Sequence, residues 1–585
     1  MTDGKEPLQK QITAEEISKE FKEHSVAEFF KKNMQMLGLT GKIKTLTTIV
    51  HEYVTNSLDA CEEARILPDL QIQIEELGNE HYEVNVIDNG PGLTLETVGK
   101  ALGQLLAGTK FHRMIQSRGQ QGIGAAGCTM LSQITTGKAT KVVTGTAKGG
   151  TRSLEITIDP KKNQPKISNV NELKKEFRGL AIKAQFKGVK FVNSEQAPLE
   201  YLRRTAIANP HARIKFIAPD KSSTVFERSA KEIPHKPIEI KPHPKGVTVD
   251  EIATLSKYTQ AKKVSSFLKT EFDRMGDKSI DDISKGVSFD MNKDPKQLTW
   301  EESEEVIKMF KKISFIAPRT DGLQPIGEDR IRRSLEKIVA PEYLSVITRK
   351  PQVYSGGFPF QVEVSVAYGG NSGRITNETV SVVNEGDDDE SSPQVRKIEI
   401  MRFANRAPLL FDSGGCAITK AVQTIDWKRY GIKDFENSPI TIFVNLISVH
   451  IPYTSAGKQA ISDEEEIMEE LRLALMDAGR KTGMFIAGKR KEQEKKMKRE
   501  MFYKYIPEIA VALNRITKEE EGKIKKNLEK LVLEKLKLEE EEEKEVQKEI
   551  DETMKATKEG EKKRKKIADE KEKKIREKEN DGEAE

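Results

Sequence analysis

Three short blocks, in a fixed order, restrict what this chain can fold into. His51-Glu52-Tyr53-Val54-Thr55-Asn56-Ser57-Leu58-Asp59-Ala60 reads as helix and sets Glu52 and Asn56 one turn apart on one face. Asp88-Asn89-Gly90-Pro91-Gly92 follows the alternating run Tyr82-Glu83-Val84-Asn85-Val86, so it reads as the turn at a strand end. Gly119-Gln120-Gln121-Gly122-Ile123-Gly124 is a glycine loop that opens another helix. A carboxylate at 52 can activate a water. A carboxamide one turn later can offer its oxygen to magnesium, which prefers oxygen ligands in octahedral array. Bare N–H groups at a helix start attract anions. Together the blocks predict a site for a nucleotide and a metal ion. Singly each is weak: the second is an ordinary turn sequence, and the third lacks the Gly-Lys-Ser/Thr of a Walker loop.

The bulk composition restricts the setting. The chain has 585 residues, room for several domains of about 100–200 residues each. The net charge of +5 is small and decides nothing about nucleic acid, because local patches matter more than totals. Cys61, Cys128 and Cys416 form no Cys-x-x-Cys pair, which speaks against a disulfide framework or structural zinc and for a reducing interior. The polar start MTDGKEPLQKQ has no apolar signal core, and no apolar run approaches the ~18 residues of a membrane span. A soluble, cytoplasmic protein with no membrane partner is expected.

Read along its length, the chain predicts an arm and short helix over 1–40, with Ser25 as N-cap ahead of Val26-Ala27-Glu28-Phe29-Phe30. A helix over 42–66 carries Leu46, Ile49, Val50, Val54 and Leu58, and Pro68 ends it. Strands are expected at 71–75, 82–86, 141–145, 152–158, 180–186 and 189–192, with a helix and lid-like loop over 94–118. The class is α+β, a layered sheet with helices gathered on one face. Dense proline from Pro234 to Pro244 marks a linker. Helices are expected at 248–258, 262–274, 279–287 and 299–311, the first and last capped by Thr248 and Thr299 ahead of acidic residues. Further strands fall at 360–368, 397–404 and 439–449, with a polar hairpin or loop around Glu385-Gly386-Asp387-Asp388-Asp389-Glu390. A helix begins at Asp463 with an acidic first turn. From about 486 the chain is mostly Lys and Glu, with a less polar stretch from Tyr503 to Ile516 and a spaced apolar set Ile524, Leu528, Leu531 and Leu538. Beyond about 551 isolated apolar residues cannot drive folding, so disorder or a lone charged helix is expected.

In that order, the three blocks resemble the GHKL ATPase family and its Bergerat fold. The resemblance implies ATP and Mg2+ as ligands. Glu52 would be the general base for the water attacking the γ-phosphate, and Asn56 would hold magnesium. Asp88 would accept a hydrogen bond from the adenine amino group, with Gly90 and Gly92 letting backbone approach the base. Gly119, Gln120, Gln121, Gly122, Ile123 and Gly124 would form the phosphate lid, and Thr109 and Lys110 are candidate phosphate contacts, a solvated lysine being the plainer reading of Lys110. One departure stands out. The family often has Gly-Thr in a later strand, the threonine helping to bind adenine through water. Here the match is Arg178-Gly179-Leu180, and leucine can make no such bond. Thr135, Thr136 and Thr144 are candidates to compensate.

Later motifs resemble one branch of that superfamily, the B subunits of topoisomerase VI. Tyr453-Thr454-Ser455-Ala456-Gly457-Lys458-Gln459 resembles their switch-lysine loop, Asn405-Arg406-Ala407-Pro408-Leu409-Leu410 their transducer strand, and Ser25–Phe30 their N-terminal strap. The implied layout is a strap over 1–40, the GHKL ATPase domain over 41–235 and a helix-two-turns-helix domain over 246–318. A transducer of ribosomal S5 domain 2 type follows over 319–486, then a helical region over 487–550 and a charged tail over 551–585. Lys458 would reach the γ-phosphate. The implied function is that of the ATP-hydrolysing subunit of a type IIB DNA topoisomerase. ATP binding closes a B–B dimer, and a separate A subunit cuts double-stranded DNA in an assembly of two A and two B subunits. The segment from about 463 and the stretch 503–516 would meet the A subunit. DNA contact by the helical segment is open, because Lys257, Lys262, Lys263 and Lys269 are interleaved with acids. Two other readings share the first domain: a chaperone of the superfamily, and a DNA-binding scaffold that does not hydrolyse nucleotide.

Overall fold

The computed structural model describes residues 28, 30, 32, 34, 35, 38–107, 114–119, 122–375, 396–455 and 457–535. The polar stretch 385–390, Thr109, Lys110, Gln120, Gln121, Leu538 and the tail beyond it lie outside the described residues, as does the strap motif apart from Glu28 and Phe30. The chain divides into two compact units at Met484/Phe485.

The first layered region is built on helix α1 (Lys42–Glu63) and an eight-stranded sheet. Its strands are β1 (Asp69–Gly78), β2 (His81–Asp88), β3 (Thr140–Thr146), β4 (Gly150–Asp159), β5 (Gln164–Leu173), β6 (Gly179–Lys187), β7 (Arg213–Ile217) and β8 (Ser223–Phe226), in the order β5-β4-β3-β6-β2-β1-β7-β8. All neighbours are antiparallel except β1 and β7. In β2, and in β1 as far as Ile74, every second residue is buried, the pattern of a sheet covered on one face. Helices α2 (Leu95–Gly103), α3 (Gly124–Thr136) and α4 (Pro198–Ala208) join α1. Leu46, Ile49, Val50, Val54 and Leu58 of α1 share one core with Leu70, Ile72, Val84, Val86, Met130 and Phe186.

Some expectations change here. The run 189–192 is not a strand: β6 ends at Lys187, and Gly188 turns the chain at φ +74°. Strand β5 was not expected, because nearly all its residues are exposed and it lies at the sheet edge. The proline-rich segment is anchored rather than loose. Ile240 is buried with Leu323, Ile447 and Val449 and bridges to Met114.

Four helices follow, close to where periodicity put them: α5 (Val249–Tyr258), α6 (Val264–Glu271), α7 (Asp277–Gly286) and α8 (Trp300–Lys312). They enclose a core of their own around Ile252, Phe267, Phe272, Val306 and Phe310. Thr248 and Thr299 both form full capping boxes, with Glu251 and Glu302, each worth about 1 kcal/mol of helix stability.

Helix α9 (Glu328–Ile338) leads into the second large sheet. It contains β9 (Tyr343–Thr348), β10 (Gln352–Tyr354) and β11 (Phe358–Tyr368). A separate two-stranded pair, β12 (Arg374–Ile375) and β13 (Arg396–Lys397), intervenes before β14 (Glu399–Ala404), β15 (Ala407–Pro408) and β16 (Ile440–Ser448). The order is β10-β11-β16-β14-β15, with β9 also on β11 and with β14 parallel to β16. Every residue of β16 is buried, so both faces are covered. Helix α10 (Ala417–Thr424) and the start of α11 (Glu465–Thr517) supply buried residues such as Ala421, Val422, Leu471 and Leu475. The core of this sheet reaches into the first region: Ile207 and Ala208 of α4 pack with Ile331, Leu335, Met401 and Phe443. In the second unit, residues 521–535 are helical; Ile524 is buried there, whereas Leu531 is exposed. No helix among the described residues is long and apolar enough to cross a membrane.

Candidate functional site

Between α1, the turn after β2 and the start of α3 lies a cavity of about 760 Å3, within the usual range for a small-molecule site. Glu52, Asn56, Asp88, Gly92, Gly119, Gly122, Ile123 and Gly124 line it. So does Lys458, from far down the chain. Gly90 stands behind the wall and serves it indirectly, its N–H bonding Asp88 Oδ1 at 2.9 Å. Thr109, Lys110, Gln120 and Gln121 have no described position.

Glu52 and Asn56 face the cavity because the opposite side of α1 is spent on the core. Val54 and Leu58, on that opposite side, are buried in the core shared with the sheet. The Glu52 carboxylate lies against Gly124, where any Cβ would overlap it. Gly124 begins α3, whose N-cap is Ile123 with no side-chain capping bond. The first-turn N–H groups therefore have no intrahelical partner, and Ile123 offers them no side-chain acceptor, as suits an anion site. Gly119 passes beside the Asn56 side-chain oxygen. Phe30 reaches the same cavity from the arm and packs on Gly127.

Asp88 is only 4% exposed. Its Oδ1 accepts from the backbone of Gly90 and Leu180 (2.9 and 3.1 Å), and its Oδ2 accepts from the Ser57 hydroxyl (2.8 Å). An ionised carboxylate has about four acceptor positions, so Oδ2 keeps capacity for a ligand donor. Burial raises the Asp88 pKa despite these bonds. Ser57 lies within the first motif but carried no role from sequence; its position next to Asn56 was the signal. The turn itself is pinned by Asn89, whose Oδ1 accepts from Asp69 N and whose Nδ2 donates to Leu67 O (2.8 and 3.0 Å).

Three glycines around Asp88 are also packed closely against the protein itself. A Cβ on Gly92, at φ +71°, would run into the Gly145 carbonyl, and one on Gly90 would press on Asp88 and Cys61. Gly179 (φ +131°) abuts the Asp88 carbonyl in the same way. Gly92 and Gly179 are thus held to glycine by protein backbone, whereas Gly90 faces only side-chain atoms. Leu180 contributes its N–H to Asp88 and its side chain to the cavity. Of the three candidate threonines, Thr135 and Thr136 bond carbonyls of their own helix, and Thr144 donates to the C=O and accepts from the N–H of Leu93.

Lys458 is carried on a loop pinched at its neck by a Tyr453–Ile461 bridge and by Thr454 N donating to Ala460 O at 3.0 Å. Its backbone is left-handed, at φ +52°. Its charge is felt at His51, the neighbour of Glu52. Burial lowers the His51 pKa, Glu52 raises it, and Lys458 lowers it again. The imidazole also meets the Tyr201 ring edge-on at 5.4 Å. His51 went unassigned in the sequence, as did Arg118 just ahead of the lid, because nothing local distinguishes them from surface residues.

No group of three or more His, Cys, Asp or Glu among the described residues is arranged to hold a metal ion. A magnesium site of the kind Asn56 suggests draws most of its ligands from phosphate and water, so one carboxamide fits it.

Residues 41–163 match the family of histidine kinase-, DNA gyrase B- and HSP90-like ATPases, and residues 318–498 match the transducer of the topoisomerase VI B subunit. Relatives from Pyrococcus horikoshii and Pyrococcus abyssi, both named as the B subunit of type 2 DNA topoisomerase 6, are each 46% identical to the chain across 91% of it, and across 99% and 98% of their own lengths. A relative of the same name from Methanothermobacter thermautotrophicus is 45% identical across 84% of the chain and 91% of its own length.

Proposed function

The chain belongs to the topoisomerase VI B-subunit family, and from that premise we propose that it is the ATP-hydrolysing subunit of a type IIB DNA topoisomerase working with a separate A subunit. One observation carries the site assignment: Lys458, on a loop of the second sheet, lines the same cavity as Glu52, Asn56 and Asp88 of the first. A cation delivered from a second region fits a γ-phosphate that must be read by that region. The superfamily's chaperones would not carry a topoisomerase transducer, and the intact Glu52 and Asn56 favour turnover over an inert scaffold.

Within this reading Asp88 accepts from the adenine amino group. The first-turn N–H groups of α3 hold phosphate, with 119–124 as the lid. Glu52 takes the proton of the attacking water, the role of a positioned general base. Lys458 offers its ammonium to the charge developing on the γ-phosphate. Asn56 would hold magnesium, which when bound neutralises the phosphates. ATP binding closes two copies into a dimer, and the transducer passes that closure to the A subunit, in a complex of two A and two B subunits acting on double-stranded DNA. The division of labour follows the expected domains: ATPase over 41–235, helix-two-turns-helix over 246–318 and transducer over 319–486.

Glu52→Ala tests the assignment. It should bind nucleotide as the parent does and lose turnover by about 10²–10⁴-fold. Normal ATP hydrolysis in that variant would refute the base assignment.

A further inference from the structure

The hairpin between β14 and β15 turns on two residues, Asn405 and Arg406, with Ala404 paired to Ala407. Both have positive φ, +48° and +68°, as a type I′ turn demands. Asparagine tolerates this conformation and arginine does so poorly, so the contacts of Arg406 must offset it. The turn is buried, not solvent-facing. Its Arg406 guanidinium lies on Glu62 of α1, Nη2 to Oε2 at 3.2 Å. The other Glu62 oxygen takes Arg118 Nη2 at 2.7 Å and His211 Nε2 at 2.9 Å. Arg118 Nη1 reaches Asp59 at 2.5 Å. Asn209 joins Arg118 to the Arg406 carbonyl. Two carboxylates thus face two guanidiniums, and burial lowers the His211 pKa, favouring its neutral form.

Buried ion pairs are weak devices for stability, since an apolar filler serves as well. What this one does is register four separated segments: α1, the lid root 117–119, the connection after α4 and the transducer turn. Asn405 makes the link explicit. Its Nδ2 donates to the Ser117 carbonyl (3.1 Å) and to that of Ser448 (2.9 Å), while its Oδ1 accepts from Ser448 N (3.0 Å). Ser448 ends β16, the strand that leads to the Lys458 loop. Ser117 and Arg118 precede Gly119, which passes over Asn56. The network also has slack. Arg118 Nε and Arg406 Nε are buried without an acceptor among the described residues, and a cavity of about 70 Å3 adjoins them.

We infer that Asn405 and Arg406 are positioning residues, a second connection from the transducer sheet to the nucleotide site that sets the lid root over Asn56 independently of Lys458. The inference rests on the ATPase reading above. It is tested in the full chain by Asn405→Gly, which keeps the positive-φ turn and removes all three side-chain bonds. Turnover should fall about two- to thirtyfold, with KM for ATP held within about twofold. Arg406→Lys, which keeps the charge and loses the fork, should show the same split and replaces the first variant should that one not fold. Parent-like kcat, or a fall in kcat matched by a rise in KM, overturns the inference. Combined with Lys458→Ala, the losses should multiply; a double variant no slower than Lys458→Ala alone would make the turn a mere support for that lysine and end the proposal. A parent chain that fails to hydrolyse ATP sinks the ATPase reading instead, which these variants do not probe.

Discussion

Gly124→Ala separates catalysis from folding in one substitution. The new Cβ would sit 2.5 Å from the Glu52 carboxyl carbon and closer still to Oε2. The clash is with the tip of a flexible side chain, so the carboxylate swings away and the backbone stays. Alanine in place of glycine stabilises a helix interior by about 0.8–1.0 kcal/mol, an upper bound for Gly124 at the first position of α3. Moving Glu52 off the α3 N-terminus forfeits about 0.3–1 kcal/mol of dipole attraction. The two offset to within about 1 kcal/mol, so the melting midpoint should move by no more than about 4 °C. Turnover responds on another scale, because a base displaced by about 1 Å costs about 100-fold. The backbone N–H at 124 survives, so affinity for a fluorescent ATP analogue should change far less than kcat. ATPase rate at saturating ATP, analogue titration and thermal melting measure the three quantities. A variant with parental kcat would show that hydrolysis does not depend on where Glu52 sits against α3.

Lys458→Ala should slow hydrolysis and, with the A subunit present, abolish relaxation of supercoiled DNA; full relaxation by that variant refutes its switch role. Nucleotide affinity should fall on acidification, starting at a higher pH than an ordinary aspartate would dictate. The buried Asp88 has a raised pKa and takes up its proton earlier, and Asp88→Asn should remove that dependence in analogue titrations. Arg118→Ala should destabilise the fold by about 3–5 kcal/mol by leaving Asp59 and Glu62 short of a buried cation. In the parent, Arg118 and Arg406 outweigh desolvation and hold the Glu62 pKa well below its usual value. Its contribution is therefore present above about pH 4.3, the unfolded value, and is lost as pH falls through the folded one. Denaturant melts across acidic pH should show a shallower loss in Arg118→Ala; an equal slope would refute the linkage.

Much of the scaffold was legible because its signals are local. Periodicity located α1, β1, β2 and the helices after Thr248 and Thr299, and the caps at those threonines are made by the residues that predicted them. The failures have physical causes. β5 is an exposed edge strand without apolar alternation and β8 has only four residues, whereas β7 carries a five-residue alternation, Ile214 and Phe216 buried, that the sequence reading passed over. At the site, the pairing of Glu52 and Asn56 on one helix face could be read from spacing, whereas the part given to Asp88 came through the family resemblance, its turn alone being an ordinary one. The convergence of Lys458 on them came only through resemblance. The Glu62–Arg118–Arg406 network was invisible, because its members look like ordinary surface charges until the chain folds.

Where Gly92, Gly145 and Gly179 meet, carbonyl lies on α-carbon with no side chain between. If adenine rests against Asp88 as proposed, that end of its berth is plain peptide, which mutation cannot trim or enlarge without breaking the sheet. Any drift in base preference would then have to be written at side chains lining the cavity, such as Leu180, whose N–H bonds Asp88, and Ile182, and a library at those two positions is where altered nucleotide selectivity should emerge.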